Sequence, residues 1–485
     1  MNWIKTKNNS KINLSDIPTL NINDLREEIK NLNFRPIGFF GQNILGGVKL
    51  FVILADDVNG EIYISSSFFN ENEKNYPSLT AEIPAFHMFE REFFEEFNIE
   101  PVGHPWLKPV RKNQDNYEFF EMAGDEMHQV AVGPIHAGII EPGHFRFMCH
   151  GEKVYHLEIM LGYQNRGVEK LMQEKPSNAL AESIVGDSTI AYNLAYSQLA
   201  EVLSNMKISS KAQLIRKIAL EMERVAIHIG DLGAISGDIA YLMGASVCGA
   251  TRTLVINTML EWSGSRFGRG LITVGGVNFD IENEKIEKAK ETLNKVKKDI
   301  ERIVHTMLKN ATVISRLEKT GVVSLEKAKE IGLVGLAAKA SGINSDTRFN
   351  FPDEWISKLE FEQKKLTGVG DVNSRFKIRY KEINQSIKMI KKMFKELQNW
   401  ENEPIKVQTS QMEKNSLGIS IVEGWRGEVV HIGITDDNGN FSRYKIKDPS
   451  FNNWYGLALA VRNNEISDFP LCNKSFNLSY SGFDL

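Results

Sequence analysis

Glu221, Arg224, His228 and Asp231 recur at steps of 3, 4 and 3 along "LEMERVAIHIGDLG". Those steps place all four on one helix face, where carboxylate, guanidinium and imidazole could pass protons along a track. On the residues alone a plainer reading is favoured, a solvated face with one ion pair contributing ~0.3–0.5 kcal/mol. A second loaded stretch is "VGDST", Val185 to Thr189, which opens the amphipathic run "IAYNLAYSQLAEVL". One Asp or Ser suffices to cap a helix. A Gly, an Asp, a Ser and a Thr in a row mark either plain capping or a group bound at the helix mouth. Histidines crowd the stretch before it, at His128, His136, His144, His150 and His156. Their irregular spacing defines no common metal focus. The loop "GPIHAGIIEPGH" has the glycines and prolines to bend, so His136 and His144 are expected to face a pocket.

The bulk properties narrow the chemistry. The chain has 485 residues, a net charge of -4 from 58 basic and 62 acidic side chains, and ordinary globular proportions of 42% hydrophobic and 25% charged residues. No nucleic acid partner held by bulk electrostatics is expected at that charge. The three cysteines, Cys149, Cys248 and Cys472, are far apart and form no CxxC. They provide neither a disulfide framework nor the usual ligand set for a protein-held iron–sulfur cluster or zinc ion. No strand–GxGxxG–helix or P-loop pattern occurs, and "GSRFGRG" reads as a flexible loop. The start "MNWIKTKNNSKINL" lacks a signal-length apolar core, and no run reaches the ~18–20 apolar residues that span a bilayer. A cytoplasmic chain is expected, without direct membrane insertion, whose membrane link comes through a partner.

The elements that must position these groups fall into an α+β class. Residues 1–112 read as a small α+β domain, with "VKLFVILADD" and "GEIYISSSF" as strands about an Asn59-Gly60 turn and "HMFEREFFEEFNI" as a helix with an aromatic face. Residues 113–127 read as a linker. Residues 128–485 form a large, mainly helical domain with short peripheral strands. Long helical patterns run over 188–204, 211–232, 239–263, 282–308 and 373–399. A hairpin follows in "GWRGEVVHIGITDDNGNFSRYKI" with Asn438-Gly439 at its turn. "NWYGLALAVRNN" is a short helix, and "DFPLCNKSFNLSYSGFDL" an irregular end.

The ordered motifs "GPIHAGIIEPGHFRF", "GEKVYHLEIMLGYQNRGVEKLM", "IGLVGLAAKASGINSDTR", "GDVNSR" and "RGEVVHIGITDDNGNFSRYKIKDPSF" carry a resemblance. Together they resemble the large subunit of energy-converting [NiFe]-hydrogenases of the formate hydrogenlyase type and the 49-kDa subunit of respiratory complex I. "YPSLTAEIPAFHMFEREFFEEFNIEPVGHP" resembles the 30-kDa complex I subunit, fused ahead of the large one in this hydrogenase type.

The resemblance implies four cysteine thiolates around a nickel–iron centre, and none stands here. The first pair falls on Val185 and Ser188, with Tyr192 at the following His; the second pair falls on or near Asn477 and Tyr480. Nickel and low-spin iron call for soft thiolates, so no nickel–iron centre and no hydrogen chemistry by this chain is expected. Complex I implies instead a quinone cavity. His136 matches the first His of its loop, its quinone-contacting His falls on Ile140, and its Tyr falls near Gly186. The resemblance also favours a buried proton-feeding network at Glu221, Arg224, His228 and Asp231. The implied role is electron or proton transfer beside a partner carrying a [4Fe–4S] cluster, with antiporter-like membrane subunits, on the inner face of a membrane. His136, His144, Asp187 and Tyr192 are the candidate cavity groups. The alternatives are a non-catalytic scaffold and, more weakly, a hydrogenase large subunit.

Overall fold

The computed structural model describes residues 2–112, 117–136, 138, 140–363, 368–400 and 402–485. Ser10–Asn13 (β1) precedes an antiparallel meander of Arg35–Ile44 (β2), Gly47–Asp56 (β3) and Glu61–Asn70 (β4). The β3–β4 connection contains Asn59-Gly60, with Gly60 at φ +64°, the left-handed geometry that glycine adopts without strain. Helix His87–Phe97 (α1) lays its aromatic face on this sheet, the Phe93 and Phe39 rings meeting edge-on at 5.6 Å.

Residues 113–116 of the expected linker lie outside the described residues, and Tyr117 to Glu126 contain neither helix nor strand. Met127–Val132 (β5), His144–His150 (β6) and Lys153–Met160 (β7) then form an antiparallel sheet with β6 at its centre. The helical body follows, built from Thr189–Leu203 (α2), Ser210–Asp238 (α3), Leu242–Ser263 (α4), Asn283–Lys309 (α5), the short Gly335–Ala340 (α6) and Val372–Leu397 (α7). The expected helices match these within a few residues, except that α3 runs on through "GDLGAISGD". Gly233 is no breaker there. A Cβ at that position would sit 2.9 Å from Cys248 Cβ, so its absence lets α4 pack close.

Ser416–Glu423 (β8), Glu428–Thr435 (β9) and Phe441–Lys447 (β10) make an antiparallel sheet, and β1 from the far end of the chain pairs along β8 as its fourth strand. Every residue of β8 and β9 is buried. On one face Leu417, Ile419, Val430 and Ile432 share a core with Phe40, Phe51 and Ile53 of the first sheet. On the other, Gly418 makes room for α2, because a Cβ there would meet Leu199 and Leu203 at 2.8 Å. The tail is not irregular. It holds Pro449–Val461 (α8), Phe469–Phe476 (α9) and Tyr480–Asp484 (α10), with α10 packed against the mouth of α2. Among the described residues no helix is long and apolar enough to cross a membrane.

Candidate functional site at the mouth of helix α2

Ser188 stands at the N-cap position of α2, yet its side chain makes no capping hydrogen bond. The cap comes from α3. Glu223 accepts from the backbone N–H groups of Ile190 at 2.7 Å and Ala191 at 3.3 Å. Burial outweighs those two donors and raises the Glu223 carboxyl to about 8, with the Asp187 charge adding to the shift. Asp187 is thus free for another task. Both its oxygens accept from Arg426 at 2.7 Å, and its carbonyl accepts from the Trp425 indole at 2.9 Å. Arg426 also donates to the Asn477 carbonyl, and the Asn477 amide donates to Asp231 at 2.7 Å. Asp231 in turn accepts from Arg379 at 2.8 Å. The outcome is a hydrogen-bonded chain from helix mouth to core, in which the neutral Asn477 joins two ion pairs, Asp187–Arg426 and Asp231–Arg379.

One turn into α2, the buried Tyr192 hydroxyl donates to Asp448, which also caps α8 through the Ser450 N–H. Burial and the Asp448 charge hold the phenol well above its ordinary pKa, so it remains a donor. The Tyr192 ring meets His431 edge-on at 5.7 Å, and His431 Nδ1 lies in hydrogen-bond contact with the Tyr444 hydroxyl at 2.7 Å. A Cβ on Gly482 would strike both the Asp448 carboxylate and a Val185 methyl, so Val185 is packing against α10 at this point.

His136 Nε2 and the hydroxyl of Tyr480, the first residue of α10, are buried polar atoms without a hydrogen-bond partner among the described residues. Their ring centroids are 6.4 Å apart. Asn473 lies beside the Tyr480 hydroxyl without completing a bond of good geometry. Burial lowers the His136 pKa and pushes the Tyr480 phenol up to about 12, so both are neutral near pH 7. His144 is engaged elsewhere. Its Nδ1 faces the Gly133 carbonyl at 3.3 Å, Arg146 donates to its Nε2 at 3.4 Å, and its ring lies against Phe119.

Val185, Ser188, Asn477 and Tyr480 offer an alkyl group, a hydroxyl, an amide and a phenol where soft thiolates would have to stand. The cysteines lie apart and buried, Cys149 on β6, Cys248 on α4 and Cys472 on α9. No group of three or more His, Cys, Asp or Glu among the described residues is arranged to hold a metal. These residues do not fit a nickel–iron centre.

The α3 face is buried, not solvated: Glu221, Arg224, His228 and Asp231 are all 3% exposed or less. It divides into two groups. Asp231 belongs to the chain described above. Glu221 accepts from Arg348 at 3.0 Å, Arg224 at 3.3 Å and Ser386 at 2.5 Å. Arg224 donates to the carbonyls of Glu423 and Gly424, and His228 Nε2 lies 2.7 Å from Glu382. Lys339 of α6 directs its ammonium at Asp346, Glu382 and Glu423, at 2.6, 2.8 and 3.0 Å.

The groups that sequence spacing missed are Glu223, Arg426 and Asp448. Two carried a readable signal. Asp448 precedes Pro449 at a helix start, and Arg426 sits in the "GWRG" turn between two strands.

Comparison with known proteins agrees with this architecture. The family described as the respiratory-chain NADH dehydrogenase 49-kDa subunit matches residues 238–419, and the corresponding 30-kDa subunit family matches residues 47–120. Formate hydrogenlyase subunit 5 of Escherichia coli is 26% identical over 505 residues, spanning 96% of this chain and 88% of that protein. An NADH-quinone oxidoreductase subunit of Helicobacter hepaticus is 30% identical over 290 residues, spanning 58% of this chain and 70% of that one. A chain of the membrane-bound sulfane sulfur reductase, an archaeal respiratory membrane complex, shares the fold with a TM-score of 0.69 at 21% identity, over 75% of this chain and 100% of that chain.

Proposed function

From the premise that this chain belongs to the family of complex I 49-kDa subunits and energy-converting hydrogenase large subunits, with a 30-kDa-type domain fused ahead, we propose that it hydrogen-bonds an electron acceptor of quinone type at the mouth of α2 and manages its protons. It is a subunit of a membrane-associated oxidoreductase complex. The observation that carries the finer reading is the pair of unpartnered buried groups, His136 Nε2 and the Tyr480 hydroxyl. A buried polar atom without a partner costs ~1–3 kcal/mol, which a carbonyl or hydroxyl ligand placed between them offsets. Asp187 supports the reading as the half-exposed acid of the site, held by Arg426 and wired through Asn477 to Asp231. The electron comes from a [4Fe–4S] cluster in a partner subunit, and antiporter-like membrane subunits complete the assembly. Exposed Ile135 and Ile140 flank the His136 loop and supply apolar surface for such partners.

The test is made on the purified complex. A quinone analogue should bind, and Tyr480→Phe, His136→Ala and Asp187→Asn should each cut turnover at least tenfold while assembly is unchanged. Normal turnover in all three variants leaves the chain a scaffold joining the cluster protein to the membrane subunits. Nickel bound stoichiometrically to this chain would return it to hydrogenase chemistry.

A further inference from the structure

A buried charge cluster lies between α3, α6, α7 and the end of β8, away from the helix mouth. Its carboxylates are Glu221, Asp346, Glu382 and Glu423, and its permanent cations are Arg224, Arg348 and Lys339; all seven are 8% exposed or less. The carboxylates outnumber the cations by one. A net charge left in a low-dielectric interior is strongly unfavourable, so a cluster of this make-up takes up a proton. Two acceptors are available, Glu423 and His228. His228 is the poorer. Its Nδ1 has no partner among the described residues, and its complete burial, with Arg379 and Arg224 adding to it, outweighs the Glu382 carboxylate that favours its charged form. Glu423 is crowded by Asp346 as well as held by Lys339, Arg224 and Arg348, and burial raises its carboxyl while Glu382 is held well below the usual range.

Glu423 also reaches the edge of the cluster. It lies on the wall of two cavities between the N-terminal unit and the helical body. One, of about 680 Å³, is bordered by Arg35, Asp57, Ile83 and Leu333; the other, of about 420 Å³, by Val58, Lys217 and Arg348. Of the charged groups on the cavity walls, Arg35 is paired with Asp57 and Glu428, Lys217 with Asp353, Glu82 with Lys30 and Glu330 with Lys327, while Glu326 and Lys329 also line the larger cavity.

We propose that Glu423 is a proton-storage site that exchanges one proton with solvent through the clefts between the two units. On release the Glu423 carboxyl gives its proton to cleft water and becomes a carboxylate facing Lys339; on loading the reverse occurs, with no electron transferred. Release is sensed at the helix mouth, because Glu423 opens the turn Gly424–Gly427 that also places Trp425 and Arg426 on Asp187. This role is independent of any ligand at His136 and Tyr480.

Infrared difference spectroscopy of the full chain tests it. At pH 7 the native chain should show a protonated-carboxyl band that Glu423→Gln abolishes, and that band should shift within seconds of transfer to D2O. The double variant Ile83→Trp/Val58→Trp fills the clefts while leaving all seven cluster residues unsubstituted, and should slow that shift at least tenfold. Should Glu423→Gln fail to fold, the cleft-filled chain still decides the matter when read on the band that persists in Glu223→Gln, because Glu223, raised to about 8, is also protonated at pH 7. The proposal is overturned if Glu423→Gln leaves every protonated-carboxyl band in place, or if cleft filling leaves all exchange rates unchanged.

Discussion

Lys339→Met is the sharpest probe of the buried cluster. The Lys339 ammonium contacts Asp346, Glu382 and Glu423 at 2.6, 2.8 and 3.0 Å, and all four side chains are 3% exposed. Methionine keeps the stem's packing and deletes the charge. Removing one partner of a buried ion pair costs ~3–5 kcal/mol, because the remaining charges stay buried and unmatched. We expect a loss of that size at pH 8 in denaturant unfolding of the full chain. The pH dependence has a definite sign. Without Lys339 the surplus of carboxylates over cations grows from one to two, so a second carboxyl acquires a folded-state pKa above its unfolded value. Such a group binds a proton on folding, and the folded state gains as pH falls. Relative to wild type the variant should recover ~1.4 kcal/mol per pH unit between pH 8 and pH 6. A loss under ~1 kcal/mol at pH 8, or one that grows toward pH 6, refutes the reasoning about matched buried charge.

Two other substitutions address single groups near the site. Tyr192→Phe removes the donor to Asp448 and should cost ~1.5–3 kcal/mol by thermal or denaturant unfolding, the usual worth of a hydrogen bond to a charged group. A cost near zero would mean that the phenol–carboxylate pair contributes nothing. His431 is lowered to about 3 by burial, so it stays neutral in the fold while the unfolded chain takes up a proton below about 6.5. Stability should therefore fall as pH drops from 6.5 toward 3, and His431→Gln should remove ~1.4 kcal/mol per pH unit of that slope, read from unfolding curves at pH 4.5–6.5.

The long helices and the two hairpins were legible because their hydrophobic period and turn residues are local signals. The helix mouth was legible only as a question. "VGDST" looked like surplus capping, and the reason is that Glu223 caps α2 from another helix and leaves Asp187 to Arg426. No local pattern contains that partner. The spacing of Glu221, Arg224 and His228 correctly put them on one face, yet the choice between solvent and core turned on Arg348, Lys339 and Glu382, which lie far along the chain. Short β1 is a similar case: "SKIN" has little strand signature, and its place comes from the open edge of β8. The glycine-bearing end of α3 misled for a different reason, since Gly233 serves close helix packing, not chain reversal.

The pairing of β1 with β8 sets a schedule for synthesis. The strand at Ser10–Asn13 and the apolar face holding Phe40, Phe51 and Ile53 leave the ribosome long before residues 416–434 exist to cover them. At ~5–20 residues per second that interval is roughly 20–80 s. During it the first sheet carries an oily surface and an unclaimed strand segment, the combination that draws neighbouring nascent chains together. Production of this subunit should consequently depend on holdase chaperones acting on its first hundred residues, and co-expression of those residues with the remainder as two separate chains should rebuild the clasped sheet.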